Sequence, residues 1–265
     1  MSDDVHEVYA VRYAEHPRMR SENYIFGDPH DEMVPFAYYV WVIKGPHGTF
    51  VCDTGFDHAA AAERGRTIVH PVAEGLGALG VEPGKVRDVV VTHMHWDHAG
   101  NHDLFPNARY HVQDAEMGYA TGRCMCHKML RVPFNESDVL AMVRKVFAYR
   151  VEFHDGTEEL APGITLHKIG GHSKGLQSVC VKTRRGYVVV ASDCCHFYSH
   201  IDEGRVFPIT YSVGDTLEGY KTLLKLSSSR HHMIPGHDPV VTDIYPAAKP
   251  GLENWIVRLD AEPKG

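Results

Sequence analysis

His93-Met94-His95-Trp96-Asp97-His98 follows Val86-Arg87-Asp88-Val89-Val90-Val91-Thr92, an apolar, β-branched stretch that reads as a buried strand. Side chains two apart in extended backbone point the same way, so His93 and His95 can grip one ion together. Asp97 and His98 then turn the corner and can hold a second ion about one coordination shell away. Imidazole and carboxylate suit Zn²⁺ and related first-row cations. The run also sits at a strand end, where α/β sheets usually place their chemistry. At the His and Asp frequencies of this chain, H-x-H-x-D-H arises by chance in roughly one chain in a hundred, so a His-rich surface loop is the rival reading.

Outward from the run, three further ligand types each follow an expected strand. His172 lies in Gly170-Gly171-His172-Ser173-Lys174-Gly175, Asp193 follows Val188-Val189-Val190-Ala191-Ser192, and His237 lies in Pro235-Gly236-His237-Asp238. Glycine before two of them allows tight backbone turns. Four separate strand-to-loop junctions that each deliver a metal-ligating side chain outweigh coincidence. Elsewhere, 36 to 43 and 49 to 53 read as strand, turn and strand, and 107 to 112, 164 to 168, 177 to 183, 187 to 192 and 232 to 235 as further strands. Arg184-Arg185-Gly186 reads as a hairpin turn. Helices are expected at 58 to 66, 71 to 79 (closed by Gly80), 137 to 149 with Ser137 as cap, and 215 to 228 with Asp215 or Thr216 as cap. Strands alternating with helices indicate an α/β (α+β) fold, and the absence of repeats or linkers indicates one domain over 1 to 265.

Composition narrows the function classes. The chain of 265 residues has 27 Lys and Arg against 34 Asp and Glu, a formal net charge of −7, and 43% hydrophobic residues. A mildly acidic chain without a basic, aromatic-interleaved cluster gives no footprint for nucleic acid. No apolar stretch is long enough to span a bilayer and no secretory signal is evident, so a cytoplasmic setting with its six cysteines reduced is expected. The 20 histidines far exceed what one site needs.

From Asp53-Thr54-Gly55 through the His93 cluster to His237, the chain resembles the metallo-β-lactamase superfamily. That resemblance implies a four-layer αββα sandwich with metals at one sheet edge. It implies that His93, His95 and His172 hold a first metal, that Asp97, His98 and His237 hold a second, and that Asp193 bridges them. Asp53 would stand behind the ligands and orient their loop. Within the superfamily the chain is similar to the N-acyl homoserine lactonase-like branch, on the grounds of Gly171-His172-Ser173-x-Gly175-x-Gln177-Ser178 and Tyr110-His111-Val112-Gln113-x-x-Glu116. Lactonases of that branch commonly carry a Tyr three residues after the bridging Asp, and here that position is His196. The expected activity is therefore lactone (cyclic ester) hydrolysis, in which a metal-bridging hydroxide attacks the carbonyl. His196 or Tyr198 would stabilise the oxyanion, and Asp97 would pass a proton to the leaving group. The cofactors implied are two divalent ions, zinc first, with iron, manganese or cobalt as alternatives. The partner is a small-molecule substrate, and the chain is a monomer or homodimer.

Rival readings are a glyoxalase II-like thioesterase, an amide or other small-molecule hydrolase, a mononuclear iron dioxygenase and a non-catalytic metal-binding module. The 115 to 152 insertion is a candidate lid or pocket wall, with Met117, Tyr119, Met125, Phe134 and Phe147 as either lining or core. Met33 and Phe36 raise the same question. The aromatic-rich amino-terminal arm suits a dimer contact or a pocket wall equally. Cys124-Met125-Cys126-His127 lacks the second pair that a structural zinc needs, and Cys194-Cys195 lie near the site without being ligands by position. His58 is a weaker candidate to support the ligands, and His231-His232 reads as a loop pair.

Overall fold

The computed structural model describes residues 4–30 and 32–264. Its thirteen strands are β1 (Glu7–Met19), β2 (Met33–Gly45), β3 (Gly48–Cys52), β4 (Thr67–Ile68), β5 (Asp88–Val90), β6 (Arg109–Gln113), β7 (Val151–His154), β8 (Thr157–Ala161), β9 (Ile164–Lys168), β10 (Gln177–Thr183), β11 (Gly186–Ser192), β12 (Met233–Pro235) and β13 (Ile256–Arg258). They form two sheets. One runs β13-β1-β2-β3-β5-β6-β7 with β4 paired to β1, and the other runs β12-β11-β10-β9-β8. The helices are α1 (His58–Arg64), α2 (Val72–Ala78), α3 (Asp114–Ala120), α4 (Lys128–Arg131), α5 (Glu136–Phe147), α6 (Tyr198–Glu203), α7 (Val213–Leu226) and α8 (Val240–Ile244).

Period-two alternation along β1 and β2 builds the layers. Val8, Ala10, Ala37, Tyr39, Trp41 and Ile43 face the second sheet and share a core with Val179, Val181 and Val189. Their neighbours Val11, Tyr13, Tyr38, Val40 and Val42 point the other way, onto Leu76 of α2, Tyr119 of α3 and Met142 of α5. A strand buried on both faces reads as an unbroken apolar run, as 36 to 43 does. The result is the αββα sandwich of the sequence reading. No helix among the described residues is long and apolar enough to cross a membrane.

Several boundaries differ from expectation. The amino-terminal arm is neither a free dimer arm nor only a wall. It is β1, thirteen residues long and paired with β2 from Glu7↔Lys44 to Met19↔Met33. The cap of α5 is Asn135, not Ser137, and that of α7 is Ser212, whose side chain accepts from Asp215 N. In the 115 to 152 segment Tyr119 and Phe134 are buried, Met117 and Met125 lean on the core, Phe147 is 83% exposed, and Ala120, Met125, Phe134, Val139 and Leu140 line a surface pocket.

Candidate metal centre

Each candidate ligand leaves a strand end at the same edge of the sandwich. The His93–His98 run follows β5, His172 sits in the turn between β9 and β10, Asp193 directly follows β11, and His237 follows β12. Gln177 N donates to Thr92 O across the sheets at 2.9 Å, and Gly236 N donates to Cys195 O at 2.9 Å, so the four junctions are stitched to one another. Gly175 is required here, because a Cβ on it would lie 2.1 Å from Glu116 N.

Ligand atoms of His93, His95 and His172 lie within 4.8 Å of one another, and so do those of Asp97, His98, Asp193 and His237. A third overlapping group joins His172, Asp193 and His196. Asp193 links them: Oδ1 is 2.9 Å from His237 Nε2 and 3.2 Å from His98 Nε2, while Oδ2 is 3.3 Å from His172 Nε2 and 3.1 Å from His196 Nε2. Asp97 Oδ2 is 3.5 Å from His98 Nε2 and 3.7 Å from His237 Nε2.

The hydrogen bonds behind these rings fix which nitrogen faces inward. His237 Nδ1–H donates to the Ala37 carbonyl at 2.7 Å, which leaves the Nε2 lone pair free. His98 Nδ1–H donates to Asp53 Oδ2 at 2.7 Å. Asp53 also accepts from Thr92 N at 2.7 Å and Thr92 Oγ1 at 2.8 Å, and Thr92 Oγ1 stands 3.2 Å from His93 Nδ1. Inward, Nε2 of His93, His98 and His237 and Oδ1 of Asp193 are buried and make no hydrogen bond within the protein. Buried polar atoms are rarely left so. Four converging orphans of imidazole and carboxylate type are the donor set a divalent cation takes.

Electrostatics agree with that fit. Burial lowers the affinity of His93, His95 and His196 for a proton well below the ordinary imidazole range, so these rings stand neutral. Burial brings His172 to about 4. His98 is opposite: burial alone would discharge it, but Asp193, Asp97 and Asp53 hold its proton firmly. Burial opposes charge on Asp193 too, and His237, His196 and His98 overcome it and keep the carboxylate ionised. The pocket thus calls for positive charge, which a proton supplies in part and a cation supplies better.

Supports that the sequence reading left without a role surround the ligands. Glu116, fully buried, accepts from Met94 N at 2.8 Å, Ser173 Oγ at 2.7 Å and Gly175 N at 2.9 Å, tying the His93 loop to the His172 loop. Tyr13 OH donates to Asp97 O at 2.9 Å. Phe36 stacks on His237 with centroids 4.2 Å apart, and Phe207 on His196 at 3.9 Å. Phe134 meets His95 edge-on at 4.7 Å. Signals for Glu116 were present in the Gln113-x-x-Glu116 stretch, but only the three donors give it a task.

Of the expected residues, His196 lines the cavity over the ligands with His95, Asp97, His172, Asp193 and His237, and Tyr198 does not. Tyr198 faces a separate cleft beside Arg230 and Asp238, with Arg230 stacked 4.5 Å from its ring. Residue 198 begins α6, and the helix turns its side chain away from the ligands. Of the two amino-end candidates, Phe36 lines the cavity whereas Met33 is 58% exposed. His58 is exposed at the start of α1. His232 bonds Ser229 and the Arg185 carbonyl, as a loop residue would. Cys124, Cys126, Cys194 and Cys195 are free thiols and join none of the ligand groups found among the described residues. The cavity over the ligands is small, about 60 Å³.

Comparison with known proteins follows the same line. The chain is similar to the N-acyl homoserine lactonase AttM of Azorhizobium caulinodans, 30% identical over 185 residues that cover 65% of this chain and 64% of that protein, less than two thirds of its length. It is 27% identical to the AttM lactonase of Rhizobium johnstonii over 243 residues, covering 84% of this chain and 89% of that protein. A crystal structure of a quorum-quenching N-acyl homoserine lactone lactonase superposes with a TM-score of 0.74 over 90% of this chain and 94% of its own, at 21% identity, a likeness of fold. The metallo-beta-lactamase superfamily model matches residues 33–237, a span that contains every candidate ligand, and the chain belongs to that superfamily.

Proposed function

We propose that this protein is a dinuclear metal-dependent hydrolase that opens lactones. One observation carries the reading: two groups of buried, inward-facing donors, His93/His95/His172 and Asp97/His98/His237, meet at the shared carboxylate Asp193. The relatives' names as lactonases support the substrate class. When bound, two divalent ions supply Lewis acidity and a nucleophile at neutral pH, with zinc favoured by the nitrogen and oxygen donors and iron, manganese or cobalt as alternatives.

The protein's own groups orient and move protons. Asp53 and the Ala37 carbonyl hold Nδ1 of His98 and His237 so that Nε2 faces the ligand group, and a metal there would take the place of the second proton on His98. His196, held flat against Phe207, offers its Nε2–H to the substrate carbonyl oxygen once Asp193 Oδ2 is committed elsewhere. Asp97, on the cavity wall, accepts a proton and returns it to the ring oxygen as the C–O bond breaks, so the product is a hydroxy acid. Trp96, Phe36 and Tyr38 wall the site and limit water.

A panel of a γ-lactone, a linear ester, a thioester and a β-lactam, run on protein of measured metal content, tests this reading. Lactone turnover with two metals per chain is expected, and Asp193→Ala abolishes both. Turnover of the thioester alone reassigns the protein as a thioesterase, and full activity in metal-free Asp193→Ala refutes the metal mechanism.

A further inference from the structure

Two arginines stand at the mouth of the metal cavity, and the hydrolytic reading gives neither of them a task. Arg18, from β1, and Arg66, from the turn after α1, line the same cavity as Asp97, Asp193 and His196. Arg66 is anchored by neutral groups: Nε donates to Tyr38 OH at 2.8 Å and Nη1 to the Arg64 carbonyl at 2.6 Å. Among the described residues no ion pair engages it. Arg18 lies over the rings of Phe36 and Phe207, 5.3 and 5.1 Å from their centroids. Its Nη2 donates to the Glu22 carbonyl at 2.9 Å, its Nε is buried without a hydrogen bond, and the nearest carboxylate, Glu22, is 3.8 Å away and 57% exposed.

We propose that Arg18 and Arg66 form an anion subsite, so that the substrate carries a carboxylate beside its scissile lactone carbonyl. This rests on the hydrolytic reading above and sharpens its substrate class. A guanidinium fork matches a planar carboxylate, and that of Arg66 is held in place by neutral partners. The cavity is small and Arg18 and Arg66 are part of its lining, so a substrate held over the ligands lies within reach of both side chains. A neutral acyl lactone offers them carbonyl oxygens as acceptors but no charge to pair with.

The test compares a γ-butyrolactone carboxylate with its methyl ester on the zinc-loaded protein. It measures kcat/KM for ring opening and, by calorimetry, the binding of the two ring-opened products. In the parent protein the acid is preferred by about tenfold or more in both measurements. Arg66→Gln and Arg18→Gln each reduce that preference at least about threefold, Arg66→Lys keeps more of it than Arg66→Gln, and added salt weakens the acid and not the ester. Zinc content and melting temperature confirm that the variants are folded and loaded. Equal handling of acid and ester by the parent, or an unchanged preference in Arg66→Gln and Arg18→Gln, overturns the subsite. Absence of lactone turnover together with preferential binding of the acid product refutes the lactonase reading and leaves the subsite standing; absence of both refutes the two together.

Discussion

Asp53→Asn tests how this protein sets its metal affinity. The carboxylate is fully buried at φ +65°, a left-handed conformation that Asn tolerates as well as Asp, so the backbone is not disturbed. It accepts from three donors: Thr92 N on Oδ1, and Thr92 Oγ1 and His98 Nδ1 on Oδ2, all at 2.7 to 2.8 Å. An amide replaces one acceptor with a donor. With its NH₂ toward His98, two donors collide, and relief requires His98 to move its proton to Nε2, the atom that faces Asp193 and the metal position. With its NH₂ toward Thr92 N, the clash falls on the backbone that leads into the ligand run. Either orientation forfeits a hydrogen bond to a charged acceptor, about 1.5–3 kcal/mol. Removal of a carboxylate behind a ligating histidine costs 10- to 100-fold in metal affinity, about the same energy. Zinc competition against a chelator at neutral pH therefore shows a Kd raised by about 10- to 100-fold, with turnover restored in excess zinc. An affinity within about twofold of the parent refutes the claim that Asp53 acts through the His98 tautomer.

Three further outcomes are expected. Glu116→Gln leaves at least one of Met94 N, Ser173 Oγ and Gly175 N facing a donor, and a loss of about 2 kcal/mol lowers the melting temperature by about 5 °C in a thermal scan. His196→Ala lowers kcat/KM for a lactone by about 100-fold through kcat, whereas Tyr198→Phe stays within about twofold, as its distance from the cavity requires; equal losses in the two variants would contradict the division of roles. Burial, with Lys145 nearby, brings His102 from 6.5 down to about 3. The charged ring is thus disfavoured in the folded state, so its contribution is complete above pH 6.5 and is lost as pH falls through 6.5 toward 3. His102→Gln makes the fall in melting temperature on that acid limb shallower, and an unchanged slope would show that His102 is not its source.

The ligand set was legible because it is written locally. Each candidate ligand follows a short apolar strand, and a period of two with a glycine or turn behind it is visible in sequence alone. His93, His95, His172 and Asp193 needed no knowledge of their neighbours in space. Tyr198 is the opposite case, because its place in space is not written locally. It lies five residues after Asp193, near in sequence, but α6 begins there and helical geometry carries its ring to the other side of the wall. Strand β1 escaped because its pattern is interrupted. Arg12, Glu15, His16 and Pro17 break an apolar run that only pairing with β2 and burial of Tyr13 turn into an inner strand. Phe147 looked like lining or core because it sits on an amphipathic helix, yet it falls at the last turn of α5, beyond the sheet it might have covered.

Specificity is harder to read than chemistry for a related reason. The ligands must meet at one point, so the fold brings them to one sheet edge on recurring strand–loop units. The mouth has no such constraint. It is assembled from single residues: Arg18 on β1, Phe36 and Tyr38 on β2, Arg66 after α1, Pro133 before α5, and Phe207 and Ile209 after α6. None carries a motif, and each alone is an ordinary surface or core residue. What singles out Arg18 and Arg66 is a relation in space, two guanidiniums lining one cavity with the candidate ligands, Arg66 in no ion pair among the described residues and Arg18 near only the exposed Glu22 carboxylate. If the candidate ligands hold divalent metal, positive charge at the entrance suits the site to draw in and orient an anion, so under the proposed reading the mouth bears on the substrate's charge and the metals on the bond that breaks. The two can be separated by experiment, because changing Arg66 leaves every candidate ligand in place.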